Sequence, residues 1–170
     1  NPATNEWVII ASERAKRPDA YYRHQSEKVD FPEWEEDCPF CLCNEHMAPP
    51  EIYRDPVSTP GTLDESRPWQ VRIVPNLYPA LDTVALLEVK QRSDFFHSQG
   101  GIGLHDVVIE HPEHNRFTPL MKSEEIEHVL LAFRSRFLQI REDPRFGLIT
   151  IFKNHGRAAG TSLVHPHSQI

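Results

Sequence analysis

The chain has no run of 18 apolar residues in its 170, so no segment is long and apolar enough to form a transmembrane helix. Positive charge is also in short supply. Eighteen Lys and Arg stand against 25 Asp and Glu, a net charge of −7. That excludes the broad basic surface of a non-specific nucleic-acid binder, while leaving room for a local polyphosphate site. Glycine is scarce, seven against fifteen prolines, which favours extended connections and limited helix content. The opening Asn1-Pro2-Ala3-Thr4-Asn5-Glu6 lacks the basic and apolar regions of a signal peptide, so the cytoplasm is the expected location. Cysteine is nearly absent, and what there is lies within six positions: Cys38, Cys41 and Cys43.

What remains is the balance of a folded domain. Hydrophobic residues make up 39% and charged residues 25% of the chain, which is globular rather than disordered composition. A chain of this length buries roughly two-thirds of its unfolded surface and is expected as one domain. Strand patterns occur at Glu6-Trp7-Val8-Ile9-Ile10, at Gln70–Val74 with half-buried alternation, at Leu104–Glu110 and at Phe146–Phe152. Residues 19–37 and 48–68 read as loops, and 90–103 as a polar excursion. Ser123 is the expected N-cap of an amphipathic helix, with apolar residues at 126, 129, 130, 133, 137 and 140. A single long helix among several strands points to an α+β fold, an antiparallel sheet with one packed helix.

Ten histidines are many for this length, and the cysteines carry C-x-x-C spacing at Cys38-Pro39-Phe40-Cys41. In a reducing compartment that spacing suggests zinc, the alternative being buried or redox thiols. Two more ligands would have to come from elsewhere. Candidates are His46, His105, His111, His114, His155, His165 and His167, with Cys43 as a possible third sulfur and His128 reading as a surface residue of the helix. At His165-Pro166-His167-Ser168-Gln169, an extended chain puts the two histidines on one face, about 6–7 Å apart, with Gln169 continuing it. Such a face makes either a metal site or a phosphate site with an imidazole nucleophile. Solvent-exposed strand histidines are the plain alternative. The upstream glycines supply turns where backbone N–H groups can approach an anion. Arg14, Lys16 and Arg17 form a compact basic cluster that is either a solvated loop or a phosphate contact.

These pieces occur together, and in order, in a known family. Trp7–Ile10 with Arg14-Ala15-Lys16-Arg17-Pro18, Cys38–Cys41, Asn76-Leu77-Tyr78-Pro79-Ala80-Leu81, Pro112-Glu113-His114, and Phe152–Gly156 through Gly160-Thr161-Ser162 to His165–Gln169 resemble galactose-1-phosphate uridylyltransferases and their relatives in the histidine-triad superfamily. The resemblance implies a histidine-triad-like domain over residues 1–170. It implies His167 as nucleophile, Gln169 on a phosphoryl oxygen and Ser162, beside Gly160, on the substrate phosphates. Arg14 and Arg17 would reach phosphates, Asn76 and Asn154 would line the nucleotide pocket, and Phe40 and Phe152 would supply its apolar walls. A structural zinc would sit on Cys38, Cys41, His114 and His165, leaving Cys43 outside. The implied partners are a nucleotide sugar and a hexose 1-phosphate, with no nucleic acid and no membrane, and the implied assembly is a homodimer.

The implied activity is ping-pong transfer of UMP from UDP-glucose to galactose 1-phosphate. The alternatives are ADP-glucose phosphorolysis through an adenylyl-histidine, and a zinc-stapled nucleotide-binding module without turnover. Family members continue into a second, similarly folded half, which would be needed for any second metal and which this chain is expected to lack. Asp19 stands where uridylyltransferases often have Trp, and Ser168 where they often have Gly or Cys.

Overall fold

The computed structural model describes residues 4, 6–11, 31–55, 69–85, 88–91, 93 and 95–170. Its centre is an antiparallel sheet of four strands in the order β1-β2-β5-β6. These are β1 (Tyr53–Asp55), β2 (Val71–Pro75), β5 (Asp106–Ile109) and β6 (His167–Gln169). Two short strands, β3 (Lys90–Gln91) and β4 (His97–Ser98), pair as a separate hairpin. Helix α1 (Ser123–Arg141) packs on β1 and β2. The architecture is α+β, as the sequence patterns imply.

Strand alternation gives the sheet two different faces. Arg72 pairs with Ile109, Ile109 with His167, Val74 with Val107, and Val107 with Gln169. These residues share the face on which Cys38, Phe40, Cys41 and Trp69 join Val74, Val107 and Ile109 in one apolar cluster. The opposite face presents Val71, Ile73 and Val108 to Val129 and Ala132 of α1. Polar side-chain pairs clip the helix down at two points. Arg136 donates to Asp106 at 2.8 Å, and His128 pairs with Asp55.

Several expectations need correction. Residues 6–11 form no strand: Trp7 and Ile10 are exposed, and no ladder partner stands beside them among the described residues. Propensity without a pairing strand does not make a sheet. Phe146–Phe152 is irregular apart from a single bridge, Phe152 to Gln169, because β6 is only three residues long and offers little edge to pair with. The loop assigned to 48–68 contains β1, and the excursion at 90–103 contains β3 and β4. Strand β2 is buried on both faces from Val71 to Val74; Arg72 is accommodated by Glu51, 2.5 Å from its Nε, and by the Trp69 ring. The helix begins at Ser123, so the N-cap is Lys122, whose backbone N–H donates to Glu125 at 2.6 Å. Its buried stripe is Val129, Ala132 and Ile140, while Leu130 faces outward.

Candidate metal centre and adjoining cavity

The C-x-x-C turn is a rigid knuckle. Cys41 N–H donates to the Cys38 carbonyl at 3.2 Å, and Asn44, itself buried, places its amide nitrogen 2.9–3.0 Å from the carbonyls of Glu35, Glu36 and Cys38. The segment beyond β5 carries His114 toward this knuckle, and His114 N–H is held by the Glu33 carbonyl at 2.8 Å. His165 arrives on a bend two residues before β6, so the strand proper starts at His167. The shared strand face expected for the two histidines is therefore replaced by a division: His165 turns into the knuckle and His167 opens the strand.

The result is a buried Cys2His2 group, Cys38, Cys41, His114 and His165, whose donor atoms all lie within 4.8 Å of one another. Nδ1 of His165 is 3.7 Å from Cys38 Sγ and 3.6 Å from Cys41 Sγ; Nδ1 of His114 is 3.4 Å from Cys41 Sγ. His165 Nε2 donates to the His111 carbonyl at 2.7 Å, which leaves the Nδ1 lone pair directed at the sulfurs. His114 Nε2 lies 3.4 Å from a Glu35 carboxylate oxygen, an outer partner of the kind that orients ligating imidazoles. Their mutual hydrogen bond, then burial, pushes the Cys38 thiol well up; the same bond, with help from His114 and His165, pulls Cys41 well down. The donor set, two sulfurs and two imidazole nitrogens, fits a tetrahedral cation. Cys43 lies outside the group and is exposed, with a left-handed φ of +71°.

Beside this centre lies a cavity of about 150 Å³. Its apolar wall includes Phe40, Met47, Pro49 and Leu77, and its polar residues are Asn76, Ser162, His167 and Gln169. His167 Nδ1–H donates to the His165 carbonyl at 2.9 Å, leaving Nε2 with the lone pair. The Phe40 ring meets the imidazole edge-on at 5.5 Å, and burial pushes the His167 pKa below its ordinary value, which favours the neutral ring. Behind β6, on the helix face, Ser168 Oγ donates to the buried Glu110 at 2.5 Å, and Glu110 also accepts from Lys153 and Thr118.

Of the residues singled out from sequence, Phe40, Asn76, Ser162, His167 and Gln169 converge on the cavity. Phe152, Asn154 and Gly160 lie outside its lining; Gly160 instead turns the loop with φ +80°. Arg14 and Arg17 fall outside the described residues. His46 is exposed on a short 3-10 turn, His155 meets the Phe117 ring at 5.5 Å, and His111 serves the centre through its carbonyl. Sequence reasoning missed Glu35 and the Glu110 cluster. A carboxylate just after the apolar run of β5 was the available signal for Glu110, since a buried charge needs donors.

Comparison with known proteins identifies the family. Residues 63–170 match the sequence profile of galactose-1-phosphate uridyl transferase, N-terminal domain. An ADP-glucose phosphorylase of Arabidopsis thaliana is 34% identical over all of this chain and 46% of its own length. A galactose-1-phosphate uridylyltransferase of Haemophilus influenzae is 30% identical, over all of this chain and 44% of its own length. The chain therefore spans about half the length of these relatives. The crystal structure of the Arabidopsis thaliana phosphorylase with bound ADP-glucose superposes with a TM-score of 0.62, over 99% of this chain and 46% of that one, at 34% identity. Fold, ordered motifs and profile agree, and the chain belongs to the galactose-1-phosphate uridyl transferase family.

Proposed function

We propose that the chain is the nucleophile-bearing N-terminal half of a nucleotidyltransferase, with His167 forming a covalent nucleotidyl-histidine. The carrying observation is the His167 ring itself: buried, at the cavity wall, its Nδ1 proton engaged and Nε2 left with the lone pair. Nε2 would attack the α-phosphorus of a nucleotide sugar. The bridging P–O bond breaks, and its electron pair leaves with the hexose 1-phosphate. A phosphate oxygen of the acceptor then attacks the same phosphorus and frees His167. Gln169 and Ser162, which line the cavity, would donate to phosphoryl oxygens where charge builds up. The apolar wall around Phe40 suits a base, with Asn76 at its edge. Arg14, Arg17, Phe152, Asn154 and Gly160 enter this reading through the family resemblance alone.

The metal we assign as zinc with a structural role. Tetrahedral zinc with Zn–S of about 2.3 Å and Zn–N of about 2.0–2.1 Å requires S···N separations of about 3.6 Å. The separations here are 3.4–3.7 Å. All four positions are protein groups, so zinc would brace the knuckle against the start of β6.

For the donor, the family points to UDP-glucose with galactose 1-phosphate as acceptor. A second reading, ADP-glucose with phosphate as acceptor, is favoured by 34% identity to the phosphorylase against 30% to the uridylyltransferase. The whole protein is proposed to contain a second half and to work as a cytoplasmic homodimer. The test is intact mass of the two-half protein after exposure to UDP-glucose or ADP-glucose. A gain of one UMP supports the first reading and of one AMP the second; no gain with either leaves a nucleotide-binding module without turnover.

A further inference from the structure

His105 is a buried histidine outside the four-donor group, in contact with two residues of the cavity lining, Asn76 and Gln169. Its Nδ1 lies 2.9 Å from the Ala80 backbone nitrogen, which can only donate. Its Nε2 lies 2.7 Å from Gln169 Oε1, which can only accept. Both contacts are satisfied by one tautomer, with Nδ1 bare and the proton on Nε2. The other tautomer would set N–H against N–H at Ala80 and lone pair against lone pair at Gln169. Asn76 Nδ2, 3.3 Å from Nε2, stays a neighbour rather than a donor, and its amide is oriented separately by Tyr78 N–H on Oδ1 at 2.9 Å. The Asn76 backbone N–H also donates to the His105 carbonyl at 2.9 Å, so the 76–80 loop is tied to His105 at both ends.

From this geometry we infer that His105 is a positioning residue for Gln169. By holding Oε1 it leaves the Gln169 NH2 group as the free end of the amide, a donor for a phosphoryl oxygen at the cavity. A reversed amide would offer an oxygen lone pair to an anion. The inference rests on the reading of His167 as the nucleotidyl acceptor. It adds that the loop bearing Asn76 and Tyr78 sets the orientation of a group beside that acceptor through one imidazole.

The experiment is a double-mutant cycle on the rate of His167 labelling in the two-half protein, with metal content and Tm recorded for each variant. Gln169→Ala should slow labelling about 100-fold, the usual cost of one lost donor to a developing oxyanion. His105→Phe should slow it about 10-fold or more, with little change in KM for the donor, and His105→Gln, which keeps a donor near Nε2, should recover most of the rate. The double variant should be no slower than Gln169→Ala alone. Multiplying slowdowns, or wild-type labelling by His105→Phe, would overturn the inference. If wild-type protein takes no label, the nucleophile reading fails, and 15N spectra of wild type then decide the positioning claim independently. A bare Nδ1 and protonated Nε2 at His105 support it; a protonated Nδ1 sinks it, whether or not the Phe variant folds.

Discussion

At the scale of single residues, the site works by assigning each imidazole nitrogen a separate task. His165 gives its Nε2 proton to a backbone carbonyl and keeps Nδ1 for the sulfurs; His167 gives its Nδ1 proton to the His165 carbonyl and keeps Nε2. On the proposed function, a metal-bound Nδ1 would have its lone pair engaged, which would make His165 a poor nucleophile and leave that role to His167. Substituting the two should therefore separate the functions. His167→Asn is expected to retain metal and lose nucleotide labelling, whereas His165→Asn loses metal first and activity as a consequence. Elemental analysis and label incorporation on both variants check this, and labelled His167→Asn would refute it. Cys43→Ser should keep full metal content, because that exposed sulfur lies outside the four-donor group; a loss matching Cys41→Ser would show the wrong sulfur was excluded.

At the scale of elements, the two faces of the sheet divide the labour. One carries the knuckle and cavity; the other packs against α1 through an apolar cluster flanked by polar pairs. Ile73, fully buried on the helix face, contributes to stability without touching the cavity. Ile73→Ala should cost about 2–5 kcal/mol, the range for an isoleucine-sized hole in a core. Denaturant unfolding should read that loss while metal content at low temperature stays unchanged. If metal content fell in proportion to stability, the two faces would be coupled more tightly than their separate clusters imply.

For the molecule as a whole, the candidate metal centre joins parts of the chain that are far apart in sequence: residues 38–41, 114 and 165. Binding free energy at such a site is folding free energy, so a strong chelator should lower Tm markedly, and added zinc should restore it. Acidification should act in the same direction, since protons compete with the cation for thiolate and imidazole. A Tm unmoved by chelation, in protein shown by elemental analysis to have lost its metal, would mean that apolar packing alone holds the knuckle.

Local chemistry was legible without coordinates. The C-x-x-C turn, the strands at 71–75 and 106–109 and the amphipathic helix each follow from short-range patterns that a few neighbouring residues determine. The family resemblance supplied the pairing of that turn with His114 and His165, and the sharing of tasks between two adjacent histidines. Segments 6–11 and 146–152 carry β-forming residues, yet whether they become strands depended on a partner edge, which is a tertiary property. Arg72 falls on the polar side of an alternating pattern, but the sheet is covered on both faces, so it is buried with Glu51, just as Glu110 is buried with Lys153 and Ser168. His105 looked like one more candidate ligand. Only the fold brought Ala80 to one of its nitrogens and Gln169 to the other, because hydrogen bonds across 25 and 64 residues of chain are decided by how strands and loops pack, not by what lies next along the sequence.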